Sequence, residues 1–262
     1  MAIPERLNPT TVSARPRELD KMPTTIDEAR ERLIVALDVP SSAAAAAMVE
    51  RLEGTCQWFK VGLELFTAAG PAVIESLVKG GYSVFLDLKF HDIPNTVAGA
   101  VRSASRWGVR MMNVHAGGGP AMLIAAREAL DGVSDPPQLL AVTVLTSMDQ
   151  AQTNAVGLER SPASQVKLLA EMAINAGIRG FVTSAEEVAT LRALTGPEGV
   201  LVTPGIRPKA AEINDQSRIA TPEAALRAGA SYIVVGRPIT QAPDLAAAAE
   251  AILKEMAVAL AS

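Results

Sequence analysis

The stretch LIVALDVPSSAAAAAMVERLEG, Leu33 to Gly54, reads as one strand followed by one helix. An apolar run rich in β-branched residues, Leu33 to Val39, stops at Pro40. Ser41 or Ser42 can then cap an alanine-rich helical segment, and Gly54 marks its end. Working outward, the same unit recurs along the chain. Further strand runs lie at Trp58–Gly62, Ser83–Lys89, Met111–Ala116, Leu139–Leu145, Gly180–Ala185, Val200–Ile206 and Tyr232–Ile239, each followed by a helical pattern such as PASQVKLLAEMAINAG or PDLAAAAEAILKEMAVAL. Strands alternating with helices build a parallel sheet, and eight such units predict a closed (β/α)8 barrel, a TIM barrel, over residues 31–262 as one domain. No G-x-G-x-x-G follows the first strand, so an open dinucleotide-binding sheet loses its main support.

Composition narrows the partners. The chain has 262 residues, 49% of them hydrophobic, which is enough to bury a large core. A formal net charge of -4 and a pI of about 5.4 argue against a nucleic-acid-binding face and leave small molecules as the expected ligands. Cys56 stands alone and cannot form an internal disulfide; His91 and His115 have no metal-ligand spacing, so neither a metal nor a disulfide framework is expected. Residues 1–30 read as a polar extension with no apolar core for a signal peptide or membrane span. Arg6, Arg15 and Arg17 there are interrupted by Glu5, Glu18 and Asp20, which disfavours an organelle-targeting segment. A cytoplasmic protein without membrane contact is the expectation.

In this fold catalytic groups sit at the C-terminal ends of the strands. Read that way, the first strand ends in Asp38, the second carries Lys60, the third Asp87 and Lys89, and the fourth Asn113 and His115. The fifth runs into Thr146 and Ser147, the seventh into Thr203, Pro204 and Arg207, and the eighth into Gly236 and Arg237. Strand side chains alternate, so Asp87 and Lys89 should share the inward face with Phe85 while Leu86 and Leu88 face the helices. Charges converging on a barrel mouth are costly unless paired, and an alternating acid and base array is expected there. His91 is expected to orient a loop. Asp92, just ahead of Pro94, is expected to anchor the next helix. The glycine-bearing TPGIR and VGRP segments suggest a phosphate site after the seventh and eighth strands, with the polar loop PKAAEINDQSR, which includes Gln216, able to close over a ligand.

FLDLKFHDIPNT, Phe85 to Thr96, together with ALDV, FKVG, AVTVLTS, VTPGIRP and VGRP in that order, resembles the orotidine 5′-phosphate decarboxylase family from about Leu33 to the C-terminus. The resemblance implies conversion of orotidine 5′-phosphate to UMP and CO2 without a cofactor or metal. It also implies that Asp38 and Lys60 contact the ribose, Asp87 stands beside the substrate carboxylate, and Lys89 protonates C6 of the pyrimidine. Thr146 or Ser147 would touch the base, and Pro204 would be among the substrate-binding residues. Gln216, Gly236 and Arg237, assisted by Arg207, would hold the phosphate. Asp92 and Thr96 would complete the site of the neighbouring subunit in a homodimer. The alternatives are a related barrel that uses Mg²⁺, a 3-keto-gulonate 6-phosphate decarboxylase or hexulose phosphate synthase, and a catalytically silent barrel that binds a phosphorylated ligand.

Overall fold

The structure, a computed structural model, describes residues 25–208 and 220–261; Gln216 and most of the expected closing loop lie outside the described residues. Eight parallel strands close into a barrel in sequence order: β1 (Leu33–Ala36), β2 (Trp58–Gly62), β3 (Ser83–Phe90), β4 (Met111–His115), β5 (Gln138–Val142), β6 (Gly180–Val182), β7 (Val200–Thr203) and β8 (Tyr232–Val235). β1 pairs with both β2 and β8, which removes the edges of the sheet.

The period-two pattern sorts side chains into two packed layers. Ile34, Ala36, Trp58, Phe85, Met111, Leu140, Val202 and Val234 fill the barrel interior. The alternate residues, among them Leu33, Val35, Phe59, Val61, Val84, Leu86 and Met112, pack against the surrounding helices. A fully buried aromatic such as Phe85 is worth about 2–3 kcal/mol in water-excluded area.

The helices follow the expected signals. Ser41 Oγ accepts from Ala44 N–H at 3.2 Å to cap the helix Ser42–Arg51, and Asp244 caps Leu245–Leu260 in the same way. A helix at Thr25–Arg32 takes in the last residues of the expected extension; its Ala29 is buried in the core, so packed structure starts ahead of the expected boundary at residue 31. Among the described residues no helix is long and apolar enough to cross a membrane.

Several strands stop earlier than their apolar runs. β8 ends at Val235 rather than Ile239, because Gly236 breaks the ladder and Pro238 has no N–H to donate; Arg237 is instead the first residue of a short helix, Arg237–Thr240. β7 ends at Thr203, immediately before Pro204. β1 ends at Ala36, although Leu37 N–H still donates to the Lys60 carbonyl at 3.0 Å and carries Asp38 to the mouth.

At the opposite end of the barrel, Arg192 on the helix Val188–Thr195 acts as a staple. Its guanidinium donates to the carbonyls of Gly196, Pro197, Gly199 and Gly229 and to Ser231 Oγ at 2.7–3.1 Å, tying that helix to the segments that enter β7 and β8.

Candidate active site

Strand alternation carries three charges to one place. Lys60 lies two residues beyond interior Trp58, Asp87 two beyond Phe85, and Asp38 two beyond Ala36, so all three continue the interior face into the C-terminal mouth. There they form a chain with Lys89. Lys60 Nζ donates to Asp38 Oδ1 at 2.8 Å and lies 3.4 Å from Asp87 Oδ2, while Lys89 Nζ donates to Asp87 Oδ1 at 2.6 Å. The sequence of charges is Asp38, Lys60, Asp87, Lys89, alternating in sign.

The two inner members are the most buried, with side-chain exposures of 11% for Lys60 and 13% for Asp87. Burial pushes the Asp87 carboxyl up, but Lys60, Lys89 and the hydrogen bonds from Lys89 and Asn113 outweigh it and hold the group below its ordinary value. Burial likewise pushes Lys60 down, and Asp87 and Asp38 together raise it above the ordinary lysine value. Both groups therefore remain charged through the neutral range. Gly62 makes room for this: a Cβ there would stand 2.8 Å from Lys60 Nζ and 3.3 Å from Asp38 Oδ1.

Lys89 reaches its place through an irregular backbone. It has φ 50°, the one non-glycine residue with positive φ among the described residues, a conformation that costs an L-residue about 1–2 kcal/mol. The β3–β4 register is broken at the same point: Leu86 pairs with Met112, but the next pairing is Phe90 with Val114. Four residues of advance on β3 thus face two on β4, a bulge that re-aims the side chain. Asn113, fully buried, fills the gap. Its Oδ1 accepts from Lys89 N–H at 2.7 Å and its Nδ2 donates to Asp87 Oδ1 at 2.7 Å.

Two chambers meet at the array. A cavity of about 160 Å³ is lined by Lys60, Phe85, Asp87, Lys89, Val142, Val144, Leu145, Thr146, Val182, Pro204 and Val234, so one charged wall faces an otherwise apolar surround. A wider chamber of about 460 Å³ shares Lys60, Asp87, Pro204 and Val234 with it and extends past Asp38 to Gly205, Arg207, Gly236, Arg237 and Gln241. The pair offers a largely apolar recess at one end and arginine side chains suited to an anion at the other.

Of the residues singled out in the sequence, Asp38, Lys60, Asp87 and Lys89 are directly bonded, Thr146 and Pro204 line the small cavity, and Pro204, Arg207, Gly236 and Arg237 line the wide one. Ser147 is exposed and lines neither. Asp92 and Thr96 are also exposed and outside both chambers of their own chain. The helix after β3 begins at Pro94 with Ile93 as its cap; Asp92 sits one residue further out and accepts the Ile93 N–H at 2.6 Å instead of a helical one. The flanks of the expected loop are held together, since Arg207 N–H donates to the Ala220 carbonyl at 2.9 Å. His91 stacks on His115 with ring centroids 5.3 Å apart, and burial, then His91 and Lys89, push His115 below the ordinary histidine value, keeping it neutral.

Three features had no role in the sequence reading: Asn113, Gln241 and the space at Gly62. An inward polar residue on β4 was the available signal for Asn113; nothing in the local sequence marks the other two.

The chain matches the family described as Orotidine 5′-phosphate decarboxylase / HUMPS over residues 31–252. It is 53% identical over 234 residues to the protein named orotidine 5′-phosphate decarboxylase of Moorella thermoacetica, covering 87% of this chain and 93% of that one. The protein of the same name from Chromohalobacter salexigens is 54% identical over 225 residues, covering 86% and 95%. The crystal structure of orotidine 5′-phosphate decarboxylase from Lactobacillus acidophilus superposes with a TM-score of 0.76 at 42% identity, covering 86% of this chain and 98% of that one. By extent of match, identity and fold, the chain belongs to the orotidine 5′-phosphate decarboxylase / HUMPS family.

Proposed function

We propose that this protein decarboxylates orotidine 5′-phosphate to UMP and CO2, the step that yields UMP in pyrimidine biosynthesis, as a cofactor-free cytoplasmic enzyme. The observation that carries the reading is the alternating Asp38–Lys60–Asp87–Lys89 chain standing where the apolar cavity opens into the arginine-bearing chamber. The pyrimidine occupies the cavity beside Lys89, with Thr146 at its polar edge. Asp38 and Lys60 meet the ribose. Arg237 and Arg207, with Gly236 and Gln216, grip the phosphate.

The chemistry follows from the charges. Breaking the bond from C6 to the carboxylate releases CO2 and leaves an electron pair on C6, with no adjacent carbonyl to delocalise it. A fixed ammonium stabilises that pair as it develops and needs no reorganisation during the step. Lys89 then gives its proton to C6 and recovers one from solvent. Asp87 holds the ammonium in place and, lying beside the substrate carboxylate, disfavours the bound ground state. Contacts to the remote phosphate supply binding energy that is expressed at the ring. The carboxylates of the array are already partnered by two ammonium groups, whose positive charge opposes capture of a divalent cation.

The direct test follows the ultraviolet absorbance of orotidine 5′-phosphate as it becomes UMP, with and without chelator. Turnover indifferent to chelator is expected. Turnover that needs Mg²⁺ would favour the metal-using relatives, and tight UMP binding without CO2 release would select a silent phosphate-binding barrel.

The exposed positions of Asp92 and Thr96, outside their own chambers, support a homodimer in which each chain completes its neighbour's site. Lys89→Ala and Asp92→Ala chains, each inactive alone, should then complement. A mixed dimer has one intact site and one doubly defective site, so equal random mixing should recover about a quarter of wild-type activity. Demonstrated mixed dimers that stay inactive would rule out the shared site.

A further inference from the structure

We infer that Asn113 is a positioning residue that clamps the Asp87 carboxylate and the left-handed backbone of Lys89 to β4, fixing the reacting pair beside the cavity. The inference rests on the decarboxylase reading of this site and adds to it a residue outside the charged array.

Both ends of one buried amide are committed. Lys89 N–H needs an acceptor and the Asp87 carboxylate needs a donor, so the orientation of the amide is dictated by its partners. Few side chains meet both demands at this reach. Leucine has the size without the polarity, aspartate lacks the donor when ionised, and glutamine is a methylene too long for a site already filled. The oxygen also replaces a ladder acceptor that the bulge between Leu86 and Phe90 removes. Without it, the Lys89 N–H is left unpaired in a half-buried strand, and the chain can relax toward regular pairing. A one-residue change of register sends a side chain to the opposite face, which here would take the Lys89 ammonium away from the cavity.

The amide is neutral, so it fixes Asp87 without disturbing the alternation of sign. Facing Asp87 are Lys60 from β2, Lys89 from β3, and Asn113 and His115 from β4, with Asp38 behind Lys60. Asn113 alone among them touches both Asp87 and the backbone of Lys89.

The test is Asn113→Ala in the full chain, assayed for kcat and KM across pH. A displaced reacting pair should cost about 100-fold or more in kcat, while KM stays within about threefold because the remote arginines are untouched. The acid limb of kcat should move to higher pH, since Asp87 loses a hydrogen bond that favours its ionised form. A kcat within about threefold of wild type, or a loss carried wholly by KM, overturns the inference. Should Asn113→Ala fail to fold, Asn113→Asp keeps the oxygen that accepts from Lys89 and removes the neutral donor; the same loss in kcat is expected, and wild-type kcat overturns the role. If the wild-type chain itself does not decarboxylate the substrate, the functional reading fails separately. The Asp87 carboxyl carbon followed by NMR titration then decides the clamp: a titration higher in Asn113→Ala supports it and an unchanged one overturns it.

Discussion

Lys89→Ala is expected to lower turnover of orotidine 5′-phosphate by at least about 10⁴-fold, because the role proposed for Lys89 combines a proton donor with a fixed charge at the carbanion. The fold should survive. Lys89 is partly exposed, with 30% of its side chain accessible, and without it the Asp87 carboxylate still faces Lys60 and accepts from Asn113. Alanine at this position carries the same left-handed backbone as lysine, so no new strain is introduced. Circular dichroism and the thermal midpoint should therefore stay near wild type while product formation disappears. Turnover within tenfold of wild type would remove Lys89 from the role of proton donor.

Lys60→Ala should instead damage stability as well as activity. Its ammonium lies between Asp38 and Asp87, and removing one partner of a buried ion pair typically costs about 3–5 kcal/mol. The lower end applies because Asp38 is 58% exposed and water can take over its side of the network. About 3 kcal/mol corresponds to a fall of about 10 °C in midpoint for a chain of this size.

The pH dependence has a definite sign. The folded-state pKa of Asp87 is depressed below 3.8, so its stabilisation is present above that value and is lost as pH falls through the folded pKa. Lys60 is raised above 10.5, so its stabilisation is present below that value and is lost as pH rises through the folded pKa. The difference between wild type and Lys60→Ala should therefore be widest between these limits and narrow on both the strongly acid and the strongly alkaline side. Urea unfolding over that range measures it. A difference independent of pH would mean that the lysine stem, and not its charge, does the stabilising.

The barrel was legible because strand and helix periods alternate from Leu33 to the C-terminus and the breakers fall between them. Strand ends were less so. Apolar residues continue past Val142, where Val144 and Leu145 become walls of the small cavity, so hydrophobicity outlasts the ladder there; past Val235 the chain turns at Gly236 into a short helix that the apolar run does not announce. The positions of Asp38, Lys60 and Asp87 follow from two-residue alternation alone. Alternation also places Lys89 beside Asp87, and the two are bonded at the mouth, but the bulge and positive φ through which its backbone gets there have no cue in the sequence, since lysine carries no local preference for either. Asn113 was visible as a polar residue on β4, but its purpose depends on what β3 does opposite it. Gln241 joins the wide chamber only through the turn after Arg237–Thr240, where sequence offers no cue.

The staple at Arg192 gives the barrel an acid-resistant end. Guanidinium, carbonyl and hydroxyl groups keep their protonation across the pH range in which carboxylates titrate, so these bonds persist when acid discharges Asp87 at the mouth. Acid unfolding therefore has a direction: hydrogen exchange should quicken first around the mouth ends of β2 and β3, while the entry segments of β7 and β8 stay protected until the barrel opens as a whole.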